Sequence, residues 1–74
     1  MKYRGEKMSQ VWQTLKAARD AFCDWSYERE DRQCGDLANF YNQIIDLEDG
    51  YIELTDENID RTLDLARIIL AECR

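Results

Sequence analysis

The chain has 74 residues, a net charge of −6 and 45% hydrophobic residues. A chain this short forms one domain at most, and its apolar content is too high for a disordered acidic tail. The excess of acidic residues disfavours direct binding to nucleic acid or anionic lipid, and it indicates a protein partner with a basic surface. No apolar run is long enough to cross a membrane and the N-terminus lacks a signal-peptide core, so we expect a cytoplasmic protein.

The residues that usually carry enzyme chemistry are scarce. The chain has three cysteines and no histidine. The spacing of Cys23, Cys34 and Cys73 matches neither a redox pair nor a zinc framework, so we interpret them as reduced thiols, with Cys23 and Cys73 semi-buried. Nucleophile pairs with histidine and glycine-rich phosphate loops are absent. The sequence therefore predicts a non-catalytic protein that uses no cofactor and no metal.

At the N-terminus, residues 1–8 are predicted to be a flexible segment ahead of a single helical domain over residues 9–74. The codons for Arg4-Gly5-Glu6 can encode a purine-rich ribosome-binding sequence, and a second methionine follows at Met8. This arrangement raises the hypothesis that translation starts at Met8 in a bacterial or phage gene. The first residues would then be an upstream start artefact.

The first predicted helix begins at Ser9, which is a suitable N-cap residue. Its apolar residues recur at spacings of three and four, as in a helix packed on one face. The core positions are Val11, Leu15, Ala18, Phe22 and Trp25. We expect the helix to continue through the charged residues 28–32 and to end near Gly35.

The second predicted helix begins near Asp36 and ends at Gly50, because glycine commonly terminates a helix. Its core face consists of Leu37, Phe40, Tyr41, Ile44 and Leu47. A short extended connector follows, and we expect Tyr51 and Ile52 to pin it to the core.

The third predicted helix has Thr55 as its N-cap and runs to about Glu72. Its apolar face is broader than one neighbouring helix can cover. The helix is therefore either placed between the other two or packed against a second copy of the chain. The sequence predicts an all-α fold, either a small three-helix bundle or a long helix plus a helical hairpin, with dimerisation as a way to complete the core.

The segment Asp46–Asp60, DLEDGYIELTDENID, resembles the second half of an EF-hand calcium loop. With Gly50 at loop position six, the first and third ligand positions fall on Ile45 and Leu47, which offer no side-chain oxygen. Asp56 replaces the bidentate glutamate of the last position. We interpret the segment as a helix end followed by a helix cap, and we keep a degenerate calcium binder as a minor alternative.

Two acidic rows are the candidate partner-binding surface. If the first helix runs on, carboxylates recur along its outward face, and those four residues apart repeat about every 6 Å, close to the spacing of phosphates in a nucleic-acid strand. An aromatic residue among carboxylates, Tyr27, is a candidate interface anchor. The alternative is that both rows are only solvated faces. The candidate residues are Asp20, Asp24, Tyr27, Glu28 and Asp31 on the first helix and Asp56, Asp60 and Asp64 on the third.

Three functions are compatible with these features. The first is a regulator or inhibitor of a protein with a basic surface, in its sharper form a nucleic-acid mimic directed against a nucleic-acid-binding host or defence protein. The second is a structural or assembly role as a helical homo-oligomer, the simplest case being a homodimer. The third is the calcium binder.

Overall fold

A computed structural model describes residues 2–73, and within them the chain forms three α-helices and one short 3₁₀ helix. The helices are α1 (Glu6–Ser26), α2 (Asp36–Asp49) and α3 (Asp56–Glu72), and the 3₁₀ helix (Glu30–Arg32) lies between α1 and α2. The predicted all-α three-helix bundle is confirmed. None of the helices in this part of the chain combines the length and the apolar character that crossing a membrane requires.

The core is built mainly on α3, which packs against both other helices, while α1 and α2 touch each other less. Of the two arrangements considered for its broad apolar face, the structure shows the placement between α1 and α2. The predicted α1 positions Val11, Leu15, Ala18 and Phe22 are buried, and Trp25 is half-buried. Thr62 was not predicted in the core but is fully buried, and its hydroxyl donates to the Asn58 carbonyl at 2.8 Å.

The start of α1 differs from the prediction. The helix begins at Glu6 after Gly5, whose φ is 54°, and no side chain caps this end. Ser9 lies inside the first turn, and its backbone N–H donates to the Gly5 carbonyl at 3.0 Å. Glycine adopts positive φ without steric cost, so the chain turns into the helix there and not at Ser9.

The end of α1 also differs from the prediction, because the helix stops at Ser26 and does not reach Gly35. The following charged residues have no apolar side chain to hold them against the bundle. Instead the chain folds back: the Arg32 guanidinium donates to the Trp25 carbonyl at 3.0 Å, and the Gln33 amide donates to the Ser26 carbonyl at 3.2 Å. These contacts satisfy carbonyl groups that a helix end leaves free.

The boundaries between α2 and α3 agree with the prediction. Gly50 has a left-handed conformation, and Tyr51 N–H donates to the Asp46 carbonyl at 2.8 Å, the pattern of a Schellman motif. Thr55 caps α3, since its hydroxyl accepts from Asn58 N–H at 3.1 Å. Ile52 packs against the core, but Tyr51 is 82% exposed, so the prediction that Tyr51 pins the connector was wrong.

Replacing Gly50 by alanine is expected to destabilise the protein by about 1–2 kcal/mol, because an L-residue is strained at the observed φ of 86°. Apart from Gly50 itself and its two chain neighbours, no heavy atom lies within 4 Å of the added Cβ, so the cost is conformational and does not come from packing. Gly50→Asn is the matched control, since asparagine visits the left-handed region more readily. Urea unfolding followed by circular dichroism measures both variants, and equal losses for alanine and asparagine would contradict the explanation.

Candidate functional site

The predicted acidic row of the first helix is interrupted in the structure. Asp20 and Asp24 lie on α1, four residues apart and both exposed. Tyr27, Glu28 and Asp31 follow after the helix has ended. The prediction of one continuous helical row over these residues was therefore wrong, and the phosphate-like repeat on α1 stops at Asp24.

The residues beyond Asp20 form instead an acidic corner at the connection between α1 and α2, which we define as Asp24, Tyr27, Glu28 and Asp31. All four are exposed. None of the three carboxylates has an ion-pair partner among the described residues, whereas Asp20 lies 3.9 Å from the Lys16 ammonium. Tyr27, which lies among these carboxylates, is 72% exposed. An aromatic side chain in that setting is available to anchor a contact.

Positive charge in the same segment is only partly available to neutralise the corner. Between residues 24 and 36 the chain carries five acidic residues and two arginines, Arg29 and Arg32. The Arg32 guanidinium stacks over the Trp25 ring at 4.7 Å and donates to the Trp25 carbonyl. Arg29 is exposed and forms no ion pair with a described residue. The corner therefore keeps a local excess of negative charge.

An open groove of about 560 Å³ adjoins the corner, between the end of α1 and α2. Tyr27 and Glu28 line one side, and Phe22 and Tyr41 contribute aromatic surface, with their ring centroids 4.8 Å apart. The contact between the Tyr41 hydroxyl and the Cys23 sulfur, 3.7 Å apart, and partial burial raise the pKa of the Tyr41 hydroxyl, because the phenol is the proton donor of the pair. Tyr41 is thus neutral at physiological pH, and the groove combines an uncharged aromatic surface with an acidic edge.

The backbone at Glu28 is unusual. Its φ is 58°, and it is the only non-glycine residue with positive φ among the described residues. Such a conformation costs on the order of 1 kcal/mol and persists only where neighbouring contacts enforce it. Here Arg29 N–H donates to the Ser26 carbonyl at 3.0 Å, and the Arg32 and Gln33 side chains bind the same helix end. The corner is consequently held in a defined shape.

The second predicted row, Asp56, Asp60 and Asp64, does lie on one helix, α3, but its carboxylates are engaged. Both Asp56 oxygens accept from Lys2 N–H, at 2.9 and 3.0 Å. Asp60 accepts from the Lys2 ammonium at 3.3 Å and from the Tyr3 hydroxyl. Asp64 pairs with the Arg67 guanidinium at 3.2 Å. This row is therefore less available to a partner than the corner is.

A smaller cavity of about 320 Å³ lies between α1 and α3 and is lined by three cations, Lys2, Lys7 and Arg67. Two of these cations already form ion pairs with Asp60 and Asp64. An anion entering the cavity would have to compete with those carboxylates, so the charge there does not single out an anion site.

The segment that resembles a calcium loop serves as a connector. Within residues 2–73, no three cysteine, aspartate or glutamate side chains converge closely enough to hold a metal ion. Asp56, at the last position of that loop pattern, accepts hydrogen bonds from Lys2. The Asp46 carbonyl accepts from Tyr51 and Ile52 N–H. These groups stabilise the connection between α2 and α3.

Two parts of the surface were not anticipated from the sequence. The first is the return of Arg32 and Gln33 onto the end of α1, which sets the shape of the corner. The second is the contact of Lys2 and Tyr3 with α3, which occupies the second acidic row. Charge complementarity between the basic N-terminal residues and that row was the signal available in the sequence for this contact.

No known protein family, curated protein or solved structure matches the chain.

Proposed function

We propose that the protein is a non-catalytic regulator or inhibitor that binds a partner protein with a basic surface through the acidic corner. The observation that carries the proposal is Tyr27, a largely exposed aromatic side chain among carboxylates that have no ion-pair partner in the described chain. Exposed tyrosine is enriched at the centre of protein interfaces, and unpaired carboxylates steer a basic partner to it. A side chain of the partner can be buried in the adjoining groove.

The Tyr27→Ala variant tests this proposal in a capture experiment with lysate of the native organism. We expect the wild-type chain to enrich a basic protein that Tyr27→Ala does not retain. Tyr51→Ala is the matched control, because Tyr51 is also largely exposed, at 82% against 72% for Tyr27, but lies in the connector between α2 and α3. With the purified partner, calorimetry should show Kd weakened roughly 30-fold by Tyr27→Ala, as for an anchor that contributes about 2 kcal/mol.

The charge of the corner is tested separately by changing Asp24 and Asp31 to asparagine and Glu28 to glutamine. This variant should weaken binding mainly through a slower association rate, and raising the salt concentration should reduce the difference from wild type. If the wild-type chain, the Tyr27→Ala variant and the variant with the three neutralised carboxylates all captured the partner equally, the corner would not be the binding surface.

Nucleic-acid mimicry is a narrower form of the same proposal, in which the carboxylates of the corner take the place of phosphates on a partner that binds nucleic acid. A captured partner that binds duplex DNA or RNA should release a labelled duplex when the protein is added. We propose that the protein acts inside a bacterial cell, encoded either by the bacterium or by an infecting phage.

The alternative of a helical homo-oligomer rests on Ile68, which is 43% exposed on α3. Within residues 2–73, the other large exposed hydrophobic side chains lie in the two connections, at Tyr27, Tyr51 and Leu54. Sedimentation at micromolar concentration separates the two proposals, because the regulator requires no dimer and the assembly role does.

A further inference from the structure

The N-terminal residues Lys2 and Tyr3, which we call the strap, lie against the first turns of α3. The strap offers three kinds of donor to two carboxylates one helical turn apart. Lys2 N–H donates to both oxygens of Asp56, while the Lys2 ammonium and the Tyr3 hydroxyl donate to Asp60. The Tyr3 side chain is half-buried and also packs against the edge of the core.

The donor groups of the strap are ones that any short peptide with a basic residue followed by a tyrosine can supply. A backbone N–H is present in almost any segment, and a cation followed by an aromatic phenol supplies the rest. The Lys2 ammonium also lies 5.3 Å from the Tyr3 ring centroid, so the two side chains approach α3 together. Asp56 and Asp60 thus contact a short basic and aromatic segment, and a segment of another protein can present the same groups.

The strap contacts are of a kind that a competitor can displace. The side chains of Lys2 and Asp60 remain 59% and 46% exposed, and exposed ion pairs are weak and screened by salt. The strap joins α1 through Arg4 and Gly5, so it is tethered close to α3 and competes at a high effective concentration. A ligand of the same chemistry must exceed that local concentration to bind.

We propose that Asp56 and Asp60 form a binding surface for a basic and aromatic peptide segment of a partner protein, and that the strap occupies this surface as an intramolecular competitor. The strap is then an autoinhibitory contact that the partner segment displaces. This surface is separate from the acidic corner, so the inference stands or fails independently of the proposed function.

Titration of the groups involved is consistent with the contact. The hydrogen bond from Tyr3 holds the pKa of Asp60 below its usual value, and the same bond raises the pKa of the Tyr3 hydroxyl. The neighbouring Asp60 carboxylate also raises the pKa of the Lys2 ammonium. In the Asp60→Asn variant the Tyr3 pKa should return toward its ordinary value, as the ring signals of Tyr3 in an NMR titration would report.

The binding surface can be tested with the peptide acetyl-Lys-Tyr-Arg-Gly-amide, titrated into isotopically labelled full-length chains and followed by NMR. In a chain carrying Lys2→Ser and Tyr3→Ser the strap cannot make its side-chain contacts, and we expect the peptide to bind with Kd of roughly millimolar order, shifting amide signals in the first turns of α3. The wild-type chain should bind it about fivefold or more weakly, because the strap competes.

Substitutions on α3 show whether the two carboxylates carry the binding. Adding Asp56→Asn and Asp60→Asn to the strap variant should weaken peptide binding at least fivefold. Adding Asp64→Asn instead is the matched control, since Asp64 pairs with Arg67 and does not touch the strap. Tyr27→Ala should leave peptide binding unchanged, which separates this surface from the acidic corner. Circular dichroism confirms that each variant is folded.

Three outcomes would overturn the proposal. The first is peptide binding that is equally strong in the wild-type and strap variants, which would mean that the strap does not compete. The second is a Kd that Asp56→Asn with Asp60→Asn changes no more than Asp64→Asn does. The third is the absence of any peptide binding to the strap variant. Either of these results removes the two carboxylates as the binding surface.

Discussion

Replacing Leu15 by alanine is expected to lower the free energy of unfolding by about 2–5 kcal/mol. Leu15 is 0% exposed on α1, where that helix packs against α3, and the truncation leaves a cavity that two neighbouring helices cannot easily close. The total stability of a chain of this size is roughly 4–11 kcal/mol, so the loss is a large part of it. Urea unfolding monitored by circular dichroism measures the change.

Ile68→Ala is the control for the Leu15 variant. Ile68 lies on α3 and is 43% exposed, so its truncation removes less buried surface and should cost under about 1 kcal/mol. If both variants lost the same stability, the packing of α3 between the other helices would not be the main source of the fold's stability. An unchanged unfolding midpoint for Leu15→Ala would contradict the arrangement directly.

Replacing Phe22 by alanine is expected to cost about 3–5 kcal/mol and to loosen the groove beside the acidic corner. The Phe22 ring lies 4.8 Å from that of Tyr41 and 6.0 Å from that of Trp25, so it joins α2 to the end of α1. Aromatic pairs at such distances add to the energy of burial. Without the ring, both neighbours lose a packing partner at the same place.

Phe22→Leu and Tyr27→Ala provide the comparison for this variant. Leucine keeps most of the apolar volume, so Phe22→Leu should cost less than about 1.5 kcal/mol. Tyr27→Ala should change stability by less than about 0.5 kcal/mol, because its side chain is largely exposed. Thermal unfolding of the three variants ranks their losses of stability. A large loss for Tyr27→Ala would mean that its effect on partner binding cannot be separated from folding.

Much of the fold could be predicted from the sequence, because burial and helix caps are local or periodic signals. The spacing of Val11, Leu15, Ala18 and Phe22 identified the buried face of α1. Gly50 and Thr55 marked the end of α2 and the start of α3 through their own conformational preferences. These signals depend on neighbours within a few residues along the chain, so a single sequence displays them.

The candidate site was predicted less well, because its shape depends on contacts between distant residues. Helix propensity alone allowed α1 to continue through the charged residues 28–32, but Arg32 stacks on Trp25 and caps the helix end instead. Lys2 and Tyr3 reach carboxylates more than fifty residues away in the chain. Neither contact has a periodic signature, and both decide which carboxylates remain free.

The position of α3 also bears on how the protein is made. The helix that follows α1 and α2, α3, supplies most of the surface against which those two helices pack, and they contact each other less. During synthesis, α1 and α2 therefore emerge from the ribosome with their apolar faces uncovered, and the core closes only when α3 has been added. Because a helical bundle has mainly short-range connections, the closing of this core should be fast, within microseconds to milliseconds.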